Sequence, residues 1–149
     1  MAETASKSGL RLEVRRHFAA PRQRVWDAWT QAEALTRWFA PGAAHVVSAD
    51  VDLRVGGEYR VHMQGPDGTS FHVRGTYREI TPPSRLAFTW QWQHEPPDYV
   101  MVVTVQLEES AEGGTELFLT HEGFRSEADA SGHNVGWEGL FAKLETIVA

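Results

Sequence analysis

Between His45 and Glu122 the chain is cut into six alternating runs by Gly- and Pro-rich turns, and only one long amphipathic segment follows to cover the sheet they would form. His45 to Leu53 leads to Gly56-Gly57, Glu58 to Gln64 leads to Pro66-Asp67-Gly68, and Ser70 to Ile80 leads to Pro82-Pro83-Ser84. Arg85 to Gln93 reaches Pro96-Pro97, Asp98 to Glu109 reaches Gly113-Gly114, and Thr115 to Glu122 closes the series. Gly and Pro supply the dihedrals that tight turns need, and the spacing suits sequential antiparallel hairpins. Leu10 to Phe18 alternates in the same way, which predicts about seven strands in all.

Between the first strand and the rest, two short helices are predicted. Pro21 suits the first turn of a helix, where its missing N–H has no partner to lose, and Val25, Ala28 and Trp29 follow at helical spacing. Thr30-Gln31-Ala32-Glu33 has the form of a capping box, so a second helix is expected to begin at Thr30, with Leu35, Trp38 and Phe39 on its apolar side and Pro41-Gly42 at its end. The last segment is helical, capped by Ser126 or Ser131. Its apolar stripe is read as Val135, Leu140, Phe141, Leu144 and Val148, with Trp137 at the edge. Gly136 and Gly139 are expected to let this helix lie close to the sheet. The whole predicts an α+β fold, in which a curved antiparallel sheet of about seven strands grips the C-terminal helix and the short helices close one end.

At 149 residues the chain reads as one domain over residues 10–149, with residues 1–9 as a flexible tail. No apolar run approaches the roughly 20 residues of a membrane span, and the first residues lack the apolar centre of a signal peptide, so a cytoplasmic location is expected. There is no cysteine, which excludes disulfides, thiolate catalysis and cysteine-held zinc. The net charge of −6, with no basic stripe, argues against nucleic acid as a partner.

Six tryptophans are spread over almost every predicted element. Alternation turns Tyr59, Met63, Phe71, Phe88, Trp90, Trp92, Met101 and His121 to the inner face. Antiparallel pairing brings Trp92, Tyr99, Met101 and His121 together near the start of the last helix. A pocket bounded by Trp92, Met101, His121, Trp137 and Phe141, with Trp38 and Phe39 as a lid, is therefore expected. The competing reading is a solid aromatic core. His121 is the candidate polar group inside, able to orient a ligand carbonyl or move a proton, or else held as a core histidine by backbone or Tyr99. His133 falls either at the mouth or at the helix start with Asn134. His121, Glu122 and His133 lack metal-ligand spacing, and no nucleophile elbow, phosphate loop or dinucleotide fingerprint occurs. No catalytic residue, metal or cofactor is predicted.

Ala20-Pro21 with Val25-Trp26-Asp27-Ala28-Trp29-Thr30, then Leu35 and Trp38-Phe39, resembles the opening of the activator-of-heat-shock-protein-ninety-ATPase homologue-like domains. So do Asp52-Leu53-Arg54 with Gly56-Gly57, the Asp67-Gly68 turn, and Gly75 with Ile80-Thr81-Pro82-Pro83-Ser84-Arg85-Leu86. Gly114-Thr115, Thr120-His121-Glu122-Gly123-Phe124 and His133-Asn134-Val135-Gly136-Trp137 complete a likeness over roughly residues 10–148. Val55 stands where a proline often precedes the glycine pair. The resemblance implies the helix-grip fold of the START-like, or SRPBCC, superfamily and a deep apolar cavity for lipids, polyketides or other hydrophobic molecules. A second domain of the kind a full co-chaperone carries is not expected.

Three functions follow from these readings. The first is a hydrophobic-ligand-binding protein. The second is an interaction module for a heat-shock chaperone, and it predicts an exposed apolar patch on the outer sheet face. The third is a cavity enzyme using His121 with Tyr59, Tyr77 or Tyr99. A monomer and a homodimer both fit.

Overall fold

The computed structural model describes residues 10–149, and the expected tail, residues 1–9, lies outside them. The elements run β1 (Arg11–Phe18), α1 (Arg22–Thr30), α2 (Ala32–Trp38), β2 (His45–Val51), β3 (Glu58–Gln64), β4 (Ser70–Thr81), β5 (Arg85–Trp92), β6 (Met101–Glu109), β7 (Thr115–Glu122) and α3 (Glu127–Val148). The seven strands form one antiparallel sheet in the order β1-β7-β6-β5-β4-β3-β2. Register irregularities fall between Val46 and Ser48 and between Tyr77 and Glu79, and such bulges sharpen the bend of a sheet. This is the expected α+β helix-grip arrangement. No helix of the described residues is long and apolar enough to cross a membrane.

The inner face is laid out by alternation. Tyr59, Val61 and Met63 of β3, Leu86, Phe88 and Trp90 near β5, and Leu117, Leu119 and His121 of β7 are all buried. Against them α3 buries Ala130, Trp137, Leu140, Phe141, Leu144 and Val148. Ion pairs fasten the helix to β1, with Arg16 reaching Glu145 at 2.9 Å and Glu138 at 3.8 Å. The Lys143 ammonium donates to the Ala40 and Ala44 carbonyls and so ties α3 to the segment after α2.

Three local expectations are corrected. The capping box does not form, because Thr30 is the last residue of α1 and its hydroxyl donates to the Trp26 carbonyl at 2.9 Å. This is the local back-bond of a helical threonine to the carbonyl four residues earlier, and it takes the hydroxyl away from the start of α2. Gln31, in extended conformation, then separates the two helices with no side-chain cap on α2.

On α3 the apolar stripe is centred on Trp137, while Val135 is 72 % exposed. Two residues turn a helix by about 200°, so Val135 and Trp137 cannot share a face. The helix glycines do not serve close packing on the sheet either. A Cβ at Gly136 would meet nothing within 4 Å, and one at Gly139 would approach only the Gly42 nitrogen, at 3.8 Å.

Candidate functional site

A cavity of about 360 Å³ opens between the sheet and the first half of α3. Its apolar wall is Phe39, Met63, Phe71, Trp90, Trp92, Trp137 and Leu140. Pro41, His94, Glu95, Asp129, Gly132, His133 and Gly136 complete the lining. Local structure explains each group. Met63 and Phe71 are directly paired across β3 and β4, and Val73 pairs with Trp92, so their inward side chains form one apolar end of the sheet. On α3 the spacing 129, 132/133, 136/137 and 140 follows one helical face. Gly132 and Gly136 leave that face without side chains where the space opens.

Six of the thirteen residues expected around a ligand therefore surround one space: Phe39, Met63, Phe71, Trp90, Trp92 and Trp137. The other seven lie elsewhere. Trp38, Met101 and Phe141 are packed in the core, and the Trp38 indole donates to the Ala28 carbonyl at 2.9 Å. Tyr59 and Phe88 border a separate gap of only about 10 Å³, and the Tyr59 hydroxyl donates to the Thr89 carbonyl at 2.6 Å. Tyr99 donates to Asp129 and accepts from the Arg125 backbone N–H at 3.1 Å, with the Arg125 guanidinium over its ring.

His121 is fully buried behind the cavity wall and does not line the space. The Trp137 indole N–H donates to its Nδ1 at 3.0 Å, which makes Nε2 the protonated nitrogen. That Nε2, like the Trp90 indole nitrogen, has no protein partner. Burial, with His133 nearby, holds the His121 pKa well below the usual histidine value.

The folded state therefore keeps His121 neutral while the unfolded chain binds a proton below about pH 6.5. Stability from this group is fully present above that pH and is lost as pH falls toward the depressed folded value, at about 1.4 kcal/mol per pH unit. Urea unfolding between neutral pH and about pH 5 is expected to show this slope and to lose most of it in His121→Gln, whose amide oxygen still accepts from Trp137. Equal slopes in the two proteins would refute the assignment. His72, held low by partial burial and then by His62 and Arg60, adds a smaller contribution of the same sign.

The mouth is a hydrogen-bonded chain. The Trp92 indole N–H donates to His133 Nε2 at 2.9 Å, so His133 carries its proton on Nδ1 and donates it to the Asp129 carbonyl at 2.9 Å. Ser126 caps α3 by accepting from the Asp129 N–H at 3.1 Å, which answers the choice between Ser126 and Ser131. Leu140 and His133 were legible as helical neighbours of Trp137. Pro41, His94 and Glu95 carry no periodic signal, since they lie in loops. No group of three or more His, Asp or Glu side chains among the described residues could hold a metal ion.

Gly136 gives a direct stability check. Its Cβ position is open and helical, so Gly136→Ala is expected to raise stability by up to about 1 kcal/mol through propensity alone, read as a higher melting temperature. A destabilised variant would show that α3 needs the glycine for its path.

The family model described as Activator of Hsp90 ATPase homolog 1-like protein matches residues 19–149. No curated protein matches the chain. Among solved structures, a protein from Nitrosomonas europaea is 28 % identical, covering 97 % of each chain, with a TM-score of 0.81. One from Rhodobacter sphaeroides is 28 % identical, covering 97 % of this chain and 95 % of its own, with a TM-score of 0.84. An AHSA1-like protein from Aeromonas hydrophila is 28 % identical, covering 91 % of this chain and 90 % of its own, with a TM-score of 0.75. With a family match over most of its length and this fold, the chain belongs to the Activator of Hsp90 ATPase homolog 1-like family.

Proposed function

We propose that the protein is a small cytoplasmic carrier or sensor that holds a hydrophobic molecule in the cavity beside α3. One observation carries this reading: a space of about 360 Å³ walled mainly by aromatic and aliphatic side chains. Cavities of roughly 300–1,000 Å³ with such walls and a few polar groups are the usual form of small-molecule sites. The direct test is native mass spectrometry of freshly purified protein against its denatured mass. An added mass of a few hundred daltons, lost on denaturation and absent in Gly136→Leu, is the expected result. A bare mass that stays bare after incubation with hydrophobic extracts would count against the reading.

The family description favours a second reading, contact with a heat-shock chaperone. The outer face of β3 and β4 lends it no apolar patch. Arg60 pairs with Arg74 and His62 with His72 there, the two imidazoles stacked at 4.1 Å. Phe118 is covered by the Arg15 guanidinium. A chaperone contact through this face would therefore be polar and basic, and pull-down with charge-reversed Arg60 and Arg74 would test it. A cavity enzyme built on His121 finds that residue outside the cavity lining with Nδ1 bonded to Trp137, and the Tyr59 and Tyr99 hydroxyls bonded to Thr89 and Asp129.

A further inference from the structure

The charges around the cavity have one sign. The residues that line it include two carboxylates, Glu95 and Asp129, and no lysine or arginine. Of the two histidines in the lining, His133 places its Nδ1 3.4 Å from the Asp129 carboxylate. His133 is held as a neutral tautomer, because its Nε2 accepts from Trp92 and cannot carry a proton while that bond stands. His94 lies 3.9 Å from Glu95 and is charged only if protonated. Basic groups nearby are engaged elsewhere: Arg125 pairs with Asp98 at 3.0 Å, and Lys143 is held by the Ala40 and Ala44 carbonyls.

The Asp129 carboxylate is anchored rather than free to swing away. Tyr99 donates to it, and it sits in the first turn of α3, where the helix dipole favours negative charge. Beside it stand aromatic faces at steep angles to one another. Trp90 and Trp92 meet at 81° with centroids 5.6 Å apart, and Phe71 lies 6.0 Å from Trp92. Aromatic faces with nearby carboxylates attract a desolvated organic cation through ring quadrupoles and charge together.

We infer that the guest is an organic cation, an ammonium group on an apolar body, with the charge at the mouth near Glu95 and Asp129 and the body against Phe39, Met63 and Trp137. The inference rests on the cavity being a binding site. It separates cationic guests from fatty acids and acidic lipids, whose anionic heads would face two carboxylates and no lysine or arginine, at a penalty that a partly enclosed mouth makes larger than in water.

The test uses three probes with one apolar body: naphthylmethylamine, naphthylmethanol and naphthoate, titrated by calorimetry at neutral pH and low salt. The amine is expected to bind about tenfold more tightly than the alcohol, and naphthoate most weakly. Added salt is expected to weaken the amine alone, since its advantage is electrostatic. Glu95→Gln, a change in a surface turn, is expected to reduce amine affinity about three- to fivefold and leave the alcohol unchanged. An alcohol that binds as tightly as the amine, or a naphthoate that binds more tightly, overturns the charge assignment and leaves the cavity reading standing. Absence of binding by all three overturns both.

Discussion

Gly75→Ala is expected to destabilise the fold by more than about 3 kcal/mol, because an added Cβ there would meet the closest neighbour of any described glycine. A Cβ at Gly75 would stand 1.9 Å from the Thr89 carbonyl oxygen, 2.7 Å from its carbon and 2.7 Å from Tyr59 Cε1. Gly75 of β4 is directly opposite Tyr59 of β3, so both would place side chains on the same face. The Tyr59 ring lies across the bare glycine and delivers its hydroxyl to Thr89 of β5 at 2.6 Å. Thr76 N–H, meanwhile, is satisfied by the Thr89 hydroxyl at 2.8 Å. A methyl group would have to push β5 away or lift the Tyr59 ring, and the second leaves a buried hydroxyl and a carbonyl unpaired at a further cost of about 1–3 kcal/mol. Burial already raises the Tyr59 pKa well above its ordinary value, so the phenol cannot escape by ionising. For a domain of this size the loss corresponds to a melting temperature lower by roughly 8 °C or more. A Gly75→Ala protein that melts within about 2 °C of the parent would refute the close approach.

Gly75 also shows where sequence reading stops. Its place in a strand was plain, and its likeness to a family position was visible. The reason a strand interior needs glycine is tertiary: the Tyr59 ring and the Thr89 carbonyl occupy the space of a side chain. Features that depend on period and turn chemistry were legible: seven strands, their order of turns, two short helices and one long one. Features that depend on a choice between partners were not. Thr30 can accept from the next helix or donate to the last one, and its hydroxyl takes the second course, to Trp26. Val135 is apolar yet lies about 200° from Trp137 around α3, and only burial of Trp137 fixes the phase of the stripe.

The cavity divides along the same line. Met63, Phe71, Trp90 and Trp92 were readable from alternation, as inward residues at one end of the sheet. Glu95 and His94 depend on how the loop after β5 folds back, and Asp129 on which turn of α3 faces the mouth. Those are the residues on which the inferred charge preference rests. The pocket's walls were therefore easier to read than its electrostatics.

Trp137→Ala is expected to remove about 3–5 kcal/mol of stability. The ring stacks on Phe141 at 5.6 Å, meets Trp90 at 5.3 Å and Trp29 at 5.9 Å, and so joins α3 to both the sheet and α1. Truncation deletes these contacts and extends the existing cavity into the core, where the surrounding aromatics cannot collapse to fill it. It also leaves His121 Nδ1 buried without its donor. Trp137→Phe separates the two losses, since it keeps a six-membered ring in the cluster while removing the indole N–H. Its expected cost is about 1–3 kcal/mol, the range for stranding one buried acceptor. Denaturant midpoints at neutral pH read both variants against the parent. If phenylalanine is as damaging as alanine, the His121 bond outweighs the packing and the aromatic cluster is less coupled than the ring distances imply. If phenylalanine matches the parent, His121 Nδ1 has found another donor or water. The intermediate result is expected because the bond and the packing act on the same ring but through different atoms.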